Sequence, residues 1–298
     1  MSKTKDLRDL VAECRVTDGT GFSLKGRDTG TDGGIGLTKS TAGEALQHGV
    51  DRLAELQALL YANPRWSILC LFQAMDAAGK DSAIKHVFSG VNPQGCQVES
   101  FAAPSTLERH HDFLWRHVLA LPRRGRIGIH NRSWYEEVLA PRVHPEILHA
   151  SSLPHRLISD DIWTDRLEDI AAFERYLSRQ GTVVLKFYLH VGQDEQRKRL
   201  LARIDEPDKN WKFREGDLDD RARWDDYRHA YEDAIRATAA PHAPWFIIPS
   251  DRKWLTRLIV AEAIIEAMEA LDLRYPEVTA EQKAGLARAR DRLRAEGA

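Results

Sequence analysis

The feature that most restricts what this chain can become is a junction of three short pieces in its first third. Residues 66–72 are apolar and too few for a buried helix, so they predict an interior strand. Directly after them comes Ala74-Met75-Asp76-Ala77-Ala78-Gly79-Lys80-Asp81, and from Gly79 onward the pattern turns helical. Strand, Gly-Lys turn and helix N-terminus in that order are the context of a phosphate-binding loop. In such a loop backbone N–H groups curl around phosphate oxygens, the helix dipole adds positive potential, and the lysine neutralises the transferring phosphate. Gly79 and Lys80 hold their places in the pattern GxxxxGK followed by Ser or Thr, whereas Ala74 stands at the first glycine and Asp81 at the hydroxyl residue. The carboxylates of Asp76 and Asp81 can take over the Mg²⁺ ligation that the hydroxyl would have supplied. A second account of the same residues is a helix capped by Asp76, with an exposed lysine behind it.

The alternation continues along the chain. Residues 97–101, 127–130, 182–190 and 245–248 predict further strands, each separated from the next by helical pattern, which implies an α/β fold with a parallel sheet covered on both faces. Leu46, Val50, Leu53, Leu56 and Leu60 recur at helical spacing within 43–62, and a helix over 253–271 closes the core. Thr279 and Gln282 form a capping-box pattern for a last, arginine-rich helix. Gly, Asp, Thr and Lys dominate 17–39, predicting an arm that precedes the core rather than belonging to it. Between 205 and 241 charge is dense, and Trp224, Tyr227 and Tyr231 fall at helical spacing. This segment predicts a helical excursion where nucleotide kinases carry a mobile lid; a hairpin packed by its aromatics is the alternative. The division is an N-terminal extension (1–40), a P-loop domain (41–275, lid at 205–241) and a C-terminal helical tail (276–298).

Composition narrows the function. A formal net charge of −2 over 298 residues gives no global basic field of the kind nucleic-acid binders show, so a polyanionic ligand needs cations gathered locally. No run of roughly 18 apolar residues appears, and the first ten lack the apolar core of a secretion signal, so neither a membrane span nor export is expected. Cys14, Cys70 and Cys96 are odd in number and without paired spacing, which suggests a reducing cytoplasm. The twelve histidines show neither HExxH nor zinc-finger spacing and read as ordinary surface or core residues.

The segment 73–87, QAMDAAGKDSAIKHV, resembles the Walker A region of the polyphosphate kinase 2 family, which usually runs G-x-D-x-x-G-K-D-G. Asn92-Pro93-Gln94-Gly95, HDFLWR at 111–116, NRSWYE at 131–136, GTVVLKFYLH at 181–190, Trp211-Lys212-Phe213, Gly216-Asp217-Leu218 and Ala243-Pro244-Trp245 are similar to family segments in family order. The likeness spans about residues 41–271. It implies a three-layer α/β/α P-loop kinase fold with a helical lid, Mg²⁺ dependence, and phosphoryl exchange between inorganic polyphosphate and AMP, ADP or ATP. It further implies a homo-oligomer, since relatives commonly form dimers or tetramers.

Roles follow from what can reach a phosphate or a metal. Lys80 is expected at the transferring phosphate and Asp76 at Mg²⁺ or orienting the attacking group, with Ala77, Ala78, Gly79, Asp81 and Ser82 completing the phosphate-binding set. Asn131, Arg132 and Ser133 follow a strand end, where α/β folds place their sites. The resemblance makes Arg132 the family's phosphate-contacting arginine, while Asn131 stands where relatives often have Asp. Arg199 and Arg203, four apart on a helix, are expected to clamp polyphosphate or the transition state. Lys209 and Lys212 begin the lid, and Lys85 with Arg109, Arg116, Arg123 and Arg124 are further channel candidates. Members that phosphorylate diphosphates tend to show D-R-S-W-Y-N, and those accepting monophosphates N-R-S-x-Y-E. Asn131 and Glu136 side with the second pattern and Trp134 with the first. Two other functions stay open at this point: an ATP-dependent P-loop kinase of a small substrate, and a polyphosphate- or nucleotide-binding module impaired by Ala74 and Asn131.

Overall fold

A computed structural model describes residues 6–296. Its sheet comprises β1 (Arg15–Val16), β2 (Ser67–Gln73), β3 (Cys96–Ser100), β4 (Ile127–Asn131), β5 (Thr182–His190) and β6 (Trp245–Pro249). They lie in the order β1-β6-β5-β2-β4-β3. The five strands expected from the sequence appear within one residue of their predicted bounds and pair in parallel. β2 lies between β4 and β5 with helices on both faces, so all seven of its residues are buried, as its unbroken apolar run requires.

On one face the helices Ala42–Ala62, Lys80–Val87 and Lys253–Glu269 pack against one another; on the other Glu136–Val143, Ile162–Arg179 and Trp224–Thr238 do so. The fold is therefore a three-layer α/β/α sandwich. Its parallel strands all end on one edge, at Gln73, Asn131, His190 and Pro249, and the loops leaving that edge build the site.

Two expectations about organisation need correction. The N-terminal region is not an arm ahead of the core. Leu7–Cys14 is a helix, and β1 adds a sixth, antiparallel strand beside β6. Farther along, Phe22, Leu24 and Ile35 are buried in the main core cluster. Gly and Asp in 17–39 shape turns between these few apolar anchors, and burying each such side chain contributes about 1.5–3 kcal/mol. The lid is also shorter than 205–241. In Trp224–Thr238 the residues Tyr227, Ala230, Tyr231, Ala234 and Ile235 are buried, so the helix is a wall of the core. Its charges lie on the outer face of an amphipathic helix, which a count of charges alone does not distinguish from a mobile one. What projects over the site is the 3-10 turn Pro207–Lys212 and the helix Gly216–Ala222.

The last helix, Ala280–Ala295, opens with the Thr279–Gln282 capping box that its sequence predicted, and none of its residues is buried. Among the described residues no helix is long and apolar enough to cross a membrane.

Candidate active site

The chain leaves β2 at Gln73, turns through Ala74–Gly79 and enters the helix Lys80–Val87. Two residues of the turn lie in the left-handed region, Gly79 at φ 111° and, without glycine's freedom, Ala77 at φ 59°. Side chains hold the loop's carbonyls: Lys80 Nζ donates to Ala74 O at 2.8 Å and Gln196 Nε2 to Asp76 O at 3.0 Å. Arg199 donates to Ala77 O at 3.1 Å and Ala78 O at 2.7 Å. A trans peptide carries C=O and N–H on opposite edges, so pinning the carbonyls of Asp76 and Ala78 turns the N–H groups of Ala77 and Gly79 the other way. A loop with amides freed in this way at a helix N-terminus is the arrangement that anion cradles use. Asp76 does not cap the helix; Gly79 occupies the cap position, without a side-chain bond.

The β4 exit supplies the facing wall. Arg132 also has a left-handed backbone, at φ 67°, and its N–H donates to Phe72 O at 3.0 Å. That conformation swings its guanidinium back toward the phosphate loop, where it donates to Asp76 Oδ1 at 3.2 Å. Two non-glycine residues strained at one site are what a preorganised site commonly shows. Asn131 donates to Asp81 Oδ1 at 2.8 Å. Burial pushes the Glu136 carboxyl above its ordinary range, against the pull of Arg132 and Lys80. Burial, with Arg132 close by, lowers the Lys80 ammonium. The Gln73 carboxamide donates to Glu136 Oε1 at 2.9 Å and accepts from Ser133 N and Oγ, both at 3.0 Å; reversed, it would face oxygen with oxygen and donor with donor.

Between these walls and the projecting lid lies a cleft of about 500 Å³. Eight cationic side chains line it against three carboxylates, Asp76, Asp81 and Asp217. The positive charge absent from the chain as a whole is thus concentrated here. In the lid, Asp217 pairs with Arg203 at 3.0 Å. Arg221 donates to Gln193 O at 2.8 Å and Gln196 Oε1 at 2.7 Å, so Gln196 links the lid to the phosphate loop.

Asp76, Ala77, Ala78, Gly79, Lys80, Asp81, Ser82, Asn131, Arg132, Arg203, Lys209 and Lys212 all meet around this cleft. Others expected in the site are elsewhere or otherwise engaged: Glu136, expected to be catalytic, is not among the residues lining the cleft, and its carboxylate accepts from Gln73. Ser133 is wholly buried, and its hydroxyl is held by Gln73 behind the wall. Lys85 is exposed on the helix beyond the cleft lining. Arg116 is tied to Ala102 O and Glu137, a structural brace rather than a channel residue. Arg199 lines the cleft but cannot act as a clamp as it stands. Its five N–H donors are committed to Glu195, Ala77 O, Ala78 O, Ser250 O and Asp251 O. Helical spacing placed Arg199 on the right face; only the loops around it show that carbonyls had taken its donors.

The residues present fit Mg²⁺, which takes oxygen ligands and keeps several waters or substrate oxygens. Asp76 and Asp81 offer carboxylates at the cleft, and Asn131 Oδ1 beside Asp81 is a buried oxygen with no hydrogen-bond partner. Among the described residues no cluster of three His, Cys, Asp or Glu could hold a metal by itself, so phosphate oxygens would have to complete the shell.

Sequence reading missed several residues. Asp217, Trp211 and Lys253 line the cleft, and Trp211 is 78% exposed. Beneath the β4 exit, Lys186 reaches from β5 to Glu174 at 2.5 Å, and Glu174 also accepts from Trp134 and Tyr135. This wholly buried pair fixes the Trp134-Tyr135 backbone and with it the start of Glu136. A lysine in an otherwise apolar strand was the signal available for it.

Fold and site together define a P-loop phosphotransferase class: a parallel sheet whose central strand feeds a Gly-Lys loop opening a helix, a facing arginine, and a helical segment projecting over the cleft. The chain matches the family described as Polyphosphate kinase 2 (PPK2) over residues 36–276, and it belongs to that family. It is 51% identical over 251 residues to an ADP-polyphosphate phosphotransferase of Rhodopseudomonas palustris, covering 84% of this chain and 87% of the other. It is 43% identical to an AMP/ADP-polyphosphate phosphotransferase of Meiothermus ruber, covering 88% and 94%. The crystal structure of polyphosphate kinase 2 from Arthrobacter aurescens TC1 superposes with a TM-score of 0.84 at 36% identity, covering 97% of this chain and 99% of that one.

Proposed function

We propose that this protein moves phosphoryl groups between inorganic polyphosphate and adenine nucleotides, with Mg²⁺, and that both AMP and ADP are acceptors. The observation that carries this is the convergence of the amide-lined loop, Lys80 and Arg132 in one cleft whose lining is strongly cationic although the whole chain is slightly acidic. Phosphoryl transfer asks a protein mainly for positioning and for charge placed where phosphate oxygens sit. The loop amides and Lys80 hold one phosphoryl group, Arg132 neutralises its neighbour, and the lid cations, Lys209, Lys212 and Arg214, extend the positive track along a chain. Asp76 and Asp81 would hold Mg²⁺, which supplies neutralisation of phosphate oxygens when bound.

Acceptor choice rests on Glu136. Trp134 is wholly buried against Glu174 and Phe173, so its likeness to the diphosphate-specific pattern reflects packing. Glu136 instead lies within electrostatic reach of Lys80, Arg132 and Asp76, and this reach, rather than a place in the cleft lining, supports a role in orienting a water or the ion around a monophosphate. The names of the two relatives above differ, ADP alone in one and AMP with ADP in the other, and this side-chain arrangement favours the second. A reducing compartment fits three cysteines that are odd in number and without paired spacing; assembly into a homo-oligomer belongs to the same reading.

The test is nucleotide formation from AMP or ADP with polyphosphate and Mg²⁺, run beside Lys80→Ala. Wild type should make ADP and ATP, and Lys80→Ala should lose about 10³-fold or more while melting cooperatively. ATP from ADP with no ADP from millimolar AMP would remove the Glu136 argument. Near-normal turnover by Lys80→Ala would remove the phosphate-loop assignment itself.

A further inference from the structure

Residues 6–35 lie ahead of the residues that the family model matches, 36–276. They nevertheless reach the phosphate loop through a short chain of hydrogen bonds. Thr29 Oγ1 donates to Asp251 Oδ2 at 2.7 Å, and Asp251 N donates back to Thr29 O at 3.0 Å. The other carboxylate oxygen, Asp251 Oδ1, accepts from Gly192 N at 2.8 Å. Gly192 begins the helix Gln193–Asp205 that carries Arg199, and Asp251 begins the turn after β6. The junction is close: a Cβ on Gly192 would meet Thr29 Oγ1 at 2.8 Å and Asp251 Oδ2 at 3.1 Å.

The same turn then holds Arg199. Its Nη2 donates to Ser250 O at 2.6 Å and Asp251 O at 3.1 Å, and its Nη1 to Ala77 O and Ala78 O. A planar guanidinium fixed on two carbonyls at one end sets where the carbonyls at its other end must lie. Those at the other end belong to the left-handed turn of the phosphate loop, where the turn's own bond from Ala78 N to Met75 O is long, at 3.3 Å, and Ala77 keeps a positive φ.

We propose that the N-terminal segment is part of the catalytic unit: Thr29, acting through Asp251 and Arg199, is a positioning residue for the phosphate loop. Arg199 in this account aims the loop's amides instead of gripping polyphosphate. The inference rests on Ala74–Lys80 being the phosphate-binding loop. It separates from that reading because the Lys80→Ala test addresses the loop and the variants below address its support.

The experiment is a double-mutant cycle in the full-length protein between Thr29→Val and Arg199→Lys, read as kcat with saturating polyphosphate, Mg²⁺ and ADP. Loss of one hydrogen bond in the chain should lower kcat about fivefold in Thr29→Val, with little change in nucleotide KM, and Thr29→Ser should restore it. In the Arg199→Lys background, where lysine cannot span both pairs of carbonyls, Thr29→Val should lower kcat further by less than about twofold. Gly192→Ala, which removes no polar group and only wedges the junction apart, should reproduce the kcat loss of Thr29→Val. Should Arg199→Lys not melt cooperatively, the cycle is run with Asp251→Asn as the partner, and the same non-additivity is expected. Equal effects of Thr29→Val in both backgrounds overturn the proposal, as does a Thr29→Val enzyme with lowered melting temperature and wild-type kcat.

Discussion

Asn131 donates its side-chain amide to Asp81 Oδ1 at 2.8 Å, joining the end of β4 to the first turn of the helix that opens at the phosphate loop. The residue that departs from the family's usual Asp therefore contacts the carboxylate that replaces the usual hydroxyl. An amide donor gives the Asp81 carboxylate a hydrogen-bond partner, whereas a second carboxylate there would repel it. Asn131→Asp should lower stability by about 1–2 kcal/mol in chelator, and millimolar Mg²⁺ should recover most of the loss. Melting curves with and without the ion check this; a loss that Mg²⁺ leaves unchanged would mean that the pair is not at a metal position.

Ala77 carries a left-handed backbone with a Cβ, at φ 59°. The strain, about 1–2 kcal/mol, is offset in a glycine variant by the greater freedom of the unfolded chain, about 0.5–1 kcal/mol. Ala77→Gly should melt within a few degrees of wild type, while the β-branched Ala77→Val should lose stability and most activity. Thermal melts and turnover on the two variants test the assignment of strain to the loop.

The pH dependence of Glu136 has a definite sign. Burial raises its carboxyl in the folded protein, so its contribution is fully present below the unfolded value, about 4.3, and is lost as pH rises through the folded value. Glu136→Gln should accordingly raise the melting temperature of the ligand-free protein at neutral pH. The gain should fade toward pH 4, where the wild-type group is protonated too. A stabilisation independent of pH would place its origin in packing.

Lid motion should be confined to its outer half. Residues 207–222 carry one buried side chain in their two elements, Asp217, whereas the next helix buries seven residues. Hydrogen exchange should slow over 207–222 when nucleotide and polyphosphate bind together, while Trp224–Thr238 is protected already in the free protein. Equal protection of both stretches before and after binding would make the lid a fixed wall.

How far each element was legible follows from the range of the interaction that makes it. β5, wholly recovered at 182–190, is an apolar run bounded by a Gly-containing turn on one side and helical pattern on the other. The capping box at Thr279 involves partners three residues apart and was recovered for the same reason. β1 was missed because two residues carry no periodicity; it is a strand only because β6 lies beside it. The helix Trp224–Thr238 was recognised as a helix yet placed in the lid, since nothing local states that Tyr231 and Ile235 meet a core.

The sequence by itself determined the strand-loop-helix at residues 67–87, the α/β alternation and the family, and it named Lys80 and Arg132, which the fold brings to one cleft. These rest on side-chain period and on short motifs, whose physics acts within a few residues. Tertiary structure alone decided what each cation is bound to. Arg199 and Arg203 share a helix face four residues apart, yet one spends its donors on backbone carbonyls from two loops and the other meets Asp217 in the lid. It also decided that residues 6–35 belong to the core and touch the site's support, because Thr29 and Asp251 are 222 positions apart and meet only where the sheet brings their loops to one edge.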